Sequence, residues 1–156
     1  MTPEAWMARV IEMAAANARS GHGGPFAALV VKGEEAIATG VNQVTAANDP
    51  TAHAEMVAMR AACQALSSFQ LTGCDVYASC EPCPMCLGAI YWARPARVYF
   101  AATRADAAGA GFDDSLIYEE LQAPLGERRI PMIGLMRAEA QRAFAAWKAQ
   151  PGRITY

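Results

Sequence analysis

His53, Glu55, Cys83 and Cys86 are the residues of this chain whose types and spacing could do chemistry together. One imidazole and two thiolates offer three metal-ligating atoms, and three protein ligands around a tetrahedral Zn2+ leave one position open. A structural zinc closes that fourth position with a further Cys or His, whereas a catalytic zinc keeps it for water or substrate. Two thiolates and a neutral imidazole also balance the charge of the ion, so that a water in the open position can ionise near neutral pH. Glu55, two residues beyond His53, adds a carboxylate that can take up a proton and hand it on. The expected chemistry is a metal-assisted hydrolysis with one carboxylate as proton carrier.

Each of these residues has a plainer reading. Cys80, Cys83 and Cys86 form two overlapping Cys-x-x-Cys pairs, so Cys80 is a possible ligand. Cys83 and Cys86 are favoured because Pro82 precedes the first of them and Cys80 would end the preceding strand. A thioredoxin-like redox pair needs only two cysteines and leaves His53 and Glu55 without a role. Glu55 could be a solvated helix residue. Cys63 and Cys74 read as inert thiols, and His22, in a glycine-rich loop, as a surface residue.

Elements must position these side chains. Apolar residues at helical spacing predict a helix over 3–19, ended by the glycine-rich segment around Gly21. Phe26–Val31 and Ala36–Asn42 are of strand length and flank a Lys32-Gly33-Glu34-Glu35 turn, a hairpin pattern. Asn48-Asp49-Pro50 predicts a helix start, with the helix running to about Leu66 and carrying His53 in its first turns. Asp75–Ser79 reads as a buried strand, and Cys83-Pro84 opens a helix to about Trp92. Arg97–Ala101 is a further strand. Residues 107–111 read as a flexible link, Phe112-Asp113-Asp114-Ser115 as a helix start, and 139–149 as a final helix. A hairpin followed by α-β-α-β alternation predicts an α/β fold, with a mixed sheet covered by helices on both faces. Two helix N-termini would then meet at the metal, where their partial positive charge favours thiolate.

The bulk properties narrow the partners. The 156 residues suit a single domain, and 54% hydrophobic against 18% charged residues argues against long disordered stretches. Net charge is −2 and the 13 Lys and Arg are scattered, so the basic face of a nucleic-acid binder is missing. Arg9 and Glu12 interrupt the only N-terminal apolar stretch, so no secretory signal is expected, and no segment has the length of a membrane span. An odd number of cysteines, 5, with two in a metal-type pair, fits a reducing, cytoplasmic setting.

Asn48 to Glu55 and Ser79 to Pro95 resemble the cytidine deaminase-like superfamily, in which His-x-Glu followed by Pro-Cys-x-x-Cys marks zinc nucleobase deaminases. Within it the chain resembles the small bacterial guanine deaminases, on Gly23-Gly24-Pro25-Phe26, Val41-Asn42-Gln43-Val44, Trp92 and Gly111 to Tyr118. The resemblance spans most of the first 120 residues and the final tyrosine, and is weak over about 122–150. It implies a three-layer α/β/α sandwich with a central mixed five-stranded sheet. It implies one Zn2+ per subunit on His53, Cys83 and Cys86, with Glu55 as proton shuttle and Asp114 as a second acid/base near the leaving amine. It further implies a purine site formed by Asn42, Phe26, Ala54, Trp92, Phe112 and Tyr156. The implied assembly is a homodimer in which the segment of about 122–156 is exchanged, bringing Tyr156 over the other subunit's site.

Several of these residues also fit ordinary structural roles. Asn42 could simply end a strand, Asp114 could cap a helix, and Trp92 could pack in the core. A planar base does call for an aromatic wall and an amide, which Phe26 and Asn42 can offer. The implied activity is hydrolysis of free guanine to xanthine and ammonia. A tRNA adenosine deaminase, or a deaminase of cytosine or a triazine amine, would share the zinc motif. A non-catalytic zinc-stabilised interaction module would leave Glu55 without a function.

Overall fold

The computed structural model describes residues 1–156 and divides into two compact units, Met1–Asp114 and Ser115–Tyr156. In the first unit, α1 (Pro3–Ser20) starts where Thr2 Oγ1 accepts a hydrogen bond from the Ala5 N–H at 3.2 Å. It stops at Gly21, whose φ of 71° is the left-handed conformation that closes many helices. β1 (Ala27–Lys32) and β2 (Glu35–Val41) form the expected hairpin. A short α2 (Val44–Ala47) precedes α3 (Ala54–Leu66), followed by β3 (Cys74–Cys80) and α4 (Pro84–Ala93). β4 (Arg97–Ala102) and α5 (Arg104–Gly109) complete the unit's regular elements.

The sheet has the order β2-β1-β3-β4, with β1 antiparallel to both β2 and β3, and β4 parallel to β3. Side chains of a strand alternate between the two faces, and β1 divides accordingly. Ala28 and Val30 join Ala54, Ala58, Met59 and Ala62 of α3 and Ile90 of α4 in one core. Ala27, Leu29 and Val31 join Trp6, Val10 and Ala14 of α1 in the other. Helices therefore cover both faces, as the sequence pattern predicts.

Gly40 of β2 permits the close approach of α3. A Cβ there would lie 2.4 Å from the Ala54 carbonyl oxygen and 2.5 Å from the Ala58 nitrogen. No side chain fits at such distances, so the N-terminal turns of α3 rest directly on the strand backbone.

Three expectations are corrected. The sheet has four strands, not five. Beyond β4, the stretch with most strand character, Ile130 to Leu135, is interrupted by Pro131 and Gly134, and a proline cannot donate to a ladder. The helix expected from Pro50 begins at Ala54 instead, with His53 as its N-cap. Asp49 Oδ1 accepts from the Thr51 N–H at 2.8 Å and the Thr51 hydroxyl at 2.7 Å, closing a local turn in place of a helix cap. Residues 107–109, expected to be a flexible link, belong to α5, whose capping box pairs Thr103 with Asp106.

The second unit contains α6 (Ser115–Gln122), a 3₁₀ turn at Leu125–Glu127, and α7 (Arg137–Ala149). It leaves Ile130, Ile133, Leu135, Met136 and Phe144 exposed. No helix of the chain is long and apolar enough to cross a membrane.

Candidate metal centre and active site

His53 and Cys83 hold equivalent local positions, each the extended N-cap of a helix, with ψ of 153° and 169°. Neither side chain caps its own helix. Pro84, at the first helical position of α4, suits the fixed φ of proline, and Cys86 follows three residues after Cys83. His53 Nδ1 lies 3.5 Å from Cys83 Sγ and 3.5 Å from Cys86 Sγ, and the three ligand atoms all fall within 4.8 Å of one another. Tetrahedral zinc with bonds of about 2.3 Å to sulfur and 2.0–2.1 Å to nitrogen separates those donors by roughly 3.6 Å. The donor set therefore fits zinc in both chemistry and spacing.

The two thiols differ in charge. A hydrogen bond from Cys86 holds Cys83 far below the ordinary thiol range, at about 4, with His53 adding to the effect. The same bond to Cys83, with burial, pushes Cys86 strongly up. His53 is itself raised, chiefly by its hydrogen bond with Cys83. Cys80, the alternative ligand, is absent from the cluster. Its thiol donates to the Thr103 carbonyl at 3.6 Å, and burial pushes it up to about 11.

Glu55 is only 8% exposed. Burial raises its carboxyl above the ordinary range, and its side chain is hydrogen-bonded with Cys86. In a regular helix, residues two apart face nearly opposite ways. Here the extended backbone of His53 breaks that relation, and both side chains turn toward the thiols. Ala54, between them, is fully buried.

Asn42 follows the end of β2 and is buried. Its Oδ1 accepts from the Gly24 N–H at 3.3 Å and the Val44 N–H at 3.2 Å, which orients the amide with its NH2 as the remaining polar group. Phe26 packs edge-to-face on Phe112 with ring centroids 4.9 Å apart, an apolar corner made of two of the expected wall residues. Asp114 immediately precedes α6, and its Oδ1 lies 3.8 Å from Arg104 Nε.

Residues 1–102 match the cytidine and deoxycytidylate deaminase zinc-binding region family. The chain belongs to that zinc deaminase family. Its cofactor is zinc, and its class is zinc-dependent aminohydrolase. It is similar to guanine deaminase of Bacillus subtilis (strain 168), with 51% identity over 148 residues, covering 95% of both chains. The solved guanine deaminase from Bacillus subtilis superposes with a TM-score of 0.97 at 49% identity, covering 100% of this chain and 99% of that one. A guanine deaminase from Nitrosomonas europaea gives a TM-score of 0.69 at 36% identity, over 72% of this chain and 65% of its own. The tRNA-specific adenosine deaminase of Aquifex aeolicus (strain VF5) is 44% identical over 78 residues, covering 50% of this deaminase and 52% of its own length.

Three expected site residues lie on the surface of the chain, Phe112 among them at 45% exposure. Trp92, near the end of α4, is 60% exposed, which excludes the core-packing role, and Tyr156 is 68% exposed at the end of the second unit. Two other residues near the site are not picked out by the motifs. Glu81 Oε1 accepts from the Arg104 N–H at 3.2 Å, tying the start of α5 to the segment that leads to Cys83. Asn17 is buried on the inner stripe of α1, where helical spacing alone would place an apolar residue. A polar residue on that stripe was the available clue.

Proposed function

We propose that this deaminase hydrolyses free guanine to xanthine and ammonia. The observation that carries the reading is a buried Glu55 carboxyl beside a cluster of one imidazole nitrogen and two thiol sulfurs. Zinc bound there would act as a Lewis acid and bring the pKa of a water at its open position toward neutrality. His53, Cys83 and Cys86 would hold the ion. Glu55 takes one proton from the attacking water and delivers it to a ring nitrogen beside C2, then takes the second from the new C2 hydroxyl and gives it to the departing amine as the carbonyl forms. One molecule of water enters, its oxygen bonds to C2, the C2–N bond breaks, and ammonia leaves. A carboxyl raised toward the working pH suits a group that must both accept and donate.

Substrate recognition falls to the groups around this centre. The NH2 of Asn42 offers a hydrogen bond to an acceptor on the purine edge, and Phe26 with Phe112 encloses the planar ring. Asp114 serves as a second acid/base near the leaving amine, with Ala54, Trp92 and Tyr156 completing the purine site. Similarity to a guanine deaminase over 95% of both chains, against half the chain for a tRNA deaminase, supports a free base as substrate. The net charge of −2 points the same way.

The working assembly in this reading is a homodimer in the reducing cytoplasm. The segment of about 122–156 is exchanged between subunits, and Tyr156 acts on the partner's site. The exposed apolar side chains of the second unit support association with another copy. An ammonia-release assay across guanine, adenine, cytosine, their nucleosides and ammeline tests the substrate. Guanine should exceed every other compound in kcat/KM, and a preference for cytosine, ammeline or a nucleoside would overturn the assignment.

A further inference from the structure

Asn17 lies on the opposite side of the sheet from α3 and α4, yet its side chain reaches the segments that carry Phe26 and Asn42. Asn17 Nδ2 donates to the Gly24 carbonyl at 2.8 Å and to the Asn42 carbonyl at 3.1 Å. The Gly24 carbonyl also accepts from the Phe26 N–H at 2.8 Å, and the Asn42 N–H donates to the Phe26 carbonyl at 3.0 Å. Gly24 in turn donates its N–H to Asn42 Oδ1. A Cβ on Gly23 would stand 2.1 Å from the Asn42 carbonyl oxygen, so the loop and the strand end meet without space for adjustment. One amide, only 7% exposed, thus closes a ring of hydrogen bonds around both residues.

We propose that Asn17 is a positioning residue for purine binding, which acts by holding Gly24 so that Asn42 presents its NH2 to the substrate. The proposal rests on the reading of Asn42 as a substrate-binding residue. Without Asn17 the Gly24 and Asn42 carbonyls lose the donor they share, the loop and the strand end are no longer tied together through it, and the Gly24 N–H shifts relative to Asn42 Oδ1, one of whose two donors it is. A flipped amide would offer an oxygen where the purine edge has an acceptor, which replaces an attraction with a repulsion. The Asn17 side chain bonds the Gly24 and Asn42 carbonyls and not His53, Cys83, Cys86 or Glu55, so the effect belongs to binding and leaves the chemical step in place.

Asn17→Asp tests this, because a carboxylate keeps the shape and loses both donors. KM for guanine should rise about 10-fold or more, with kcat within about 3-fold of wild type and zinc content unchanged. In an Asn42→Ala background the same substitution should change KM by less than about 2-fold, since the residue acts through Asn42. A KM within about 2-fold of wild type in the otherwise unaltered protein overturns the proposal. So does an undiminished increase in the Asn42→Ala background, which marks a merely structural amide. If Asn17→Asp does not accumulate as folded protein, Asn17→Ala is read by the same two criteria. Should wild-type protein ignore guanine but release ammonia from another base, the cycle is run with that base. The substrate assignment then falls while the positioning role is judged separately.

Discussion

Burial of a carboxyl opposes its ionisation, and Glu55 sits in that conflict beside the metal ligands. Because its folded-state pKa is raised above 4.5, the contribution to stability is present below that value and is lost as pH rises through the folded pKa. Glu55→Gln should therefore lower kcat by at least about 100-fold. The same metal-free variant should be more stable than wild type at pH 7 by on the order of 1 kcal/mol, or about 2–4 °C in Tm. Zinc analysis, steady-state kinetics and thermal unfolding from pH 4 to 8 check both halves; equal Tm at neutral pH would remove the argument for strain. Zinc affinity should also depend on pH, because binding displaces the proton shared by Cys83 and Cys86. Competition with a chelator should show Kd rising about tenfold per pH unit lowered, more steeply once His53 protonates, with its raised pKa. A flat profile would mean that the thiols are not the ligands. These ligands were legible in the sequence because their identities and spacing are local chemistry. Glu55 was legible with them from the same spacing; what spacing alone does not show is the extended backbone at His53 that turns both side chains the same way.

At the scale of elements, the site depends on how closely α3 lies against β2. Gly40→Ala would drive a methyl into the Ala54 and Ala58 backbone. Overpacking of this kind costs about 3 kcal/mol, and it displaces the helix start that carries His53 and Glu55. The expected result is a lower Tm together with weaker zinc binding, read by thermal unfolding and metal competition. A variant that loses stability but keeps its zinc affinity would show that α3 shifts as a rigid body. Hairpin, strands and the start of α4 could be read from turn residues and apolar runs. The start of α3 could not, because Asp49 has two ways to satisfy nearby N–H groups and tertiary packing selects the turn. α5 went unread because alanine and glycine in 107–111 obscured the Thr103 and Asp106 pairing, which is a helix-start signal. The fifth strand came from likeness to a family rather than from residues, and no residue after Ala102 is in a strand.

For the whole molecule, the second unit presents Ile133 at 86% and Leu135 at 82% exposure, a poor surface for an isolated chain in water. Sedimentation should give a mass near twice 16.6 kDa, and Ile133→Glu with Leu135→Glu should shift it toward the single-chain value and lower activity together. A fully active monomer would sink the shared-site reading. One consequence reaches beyond catalysis. His53 and Cys83 occupy the two positions where a side chain would ordinarily seal a helix start, and neither does so; each stands in the candidate metal cluster instead. A zinc ion held there would fasten two helix ends that the chain leaves open, and binding energy of this kind is also folding energy. In a cell short of zinc, newly made chains would carry two frayed starts and be removed sooner by proteases. Metal supply would then set how many copies survive, and the abundance of the protein would record the scarcity before its turnover rate did.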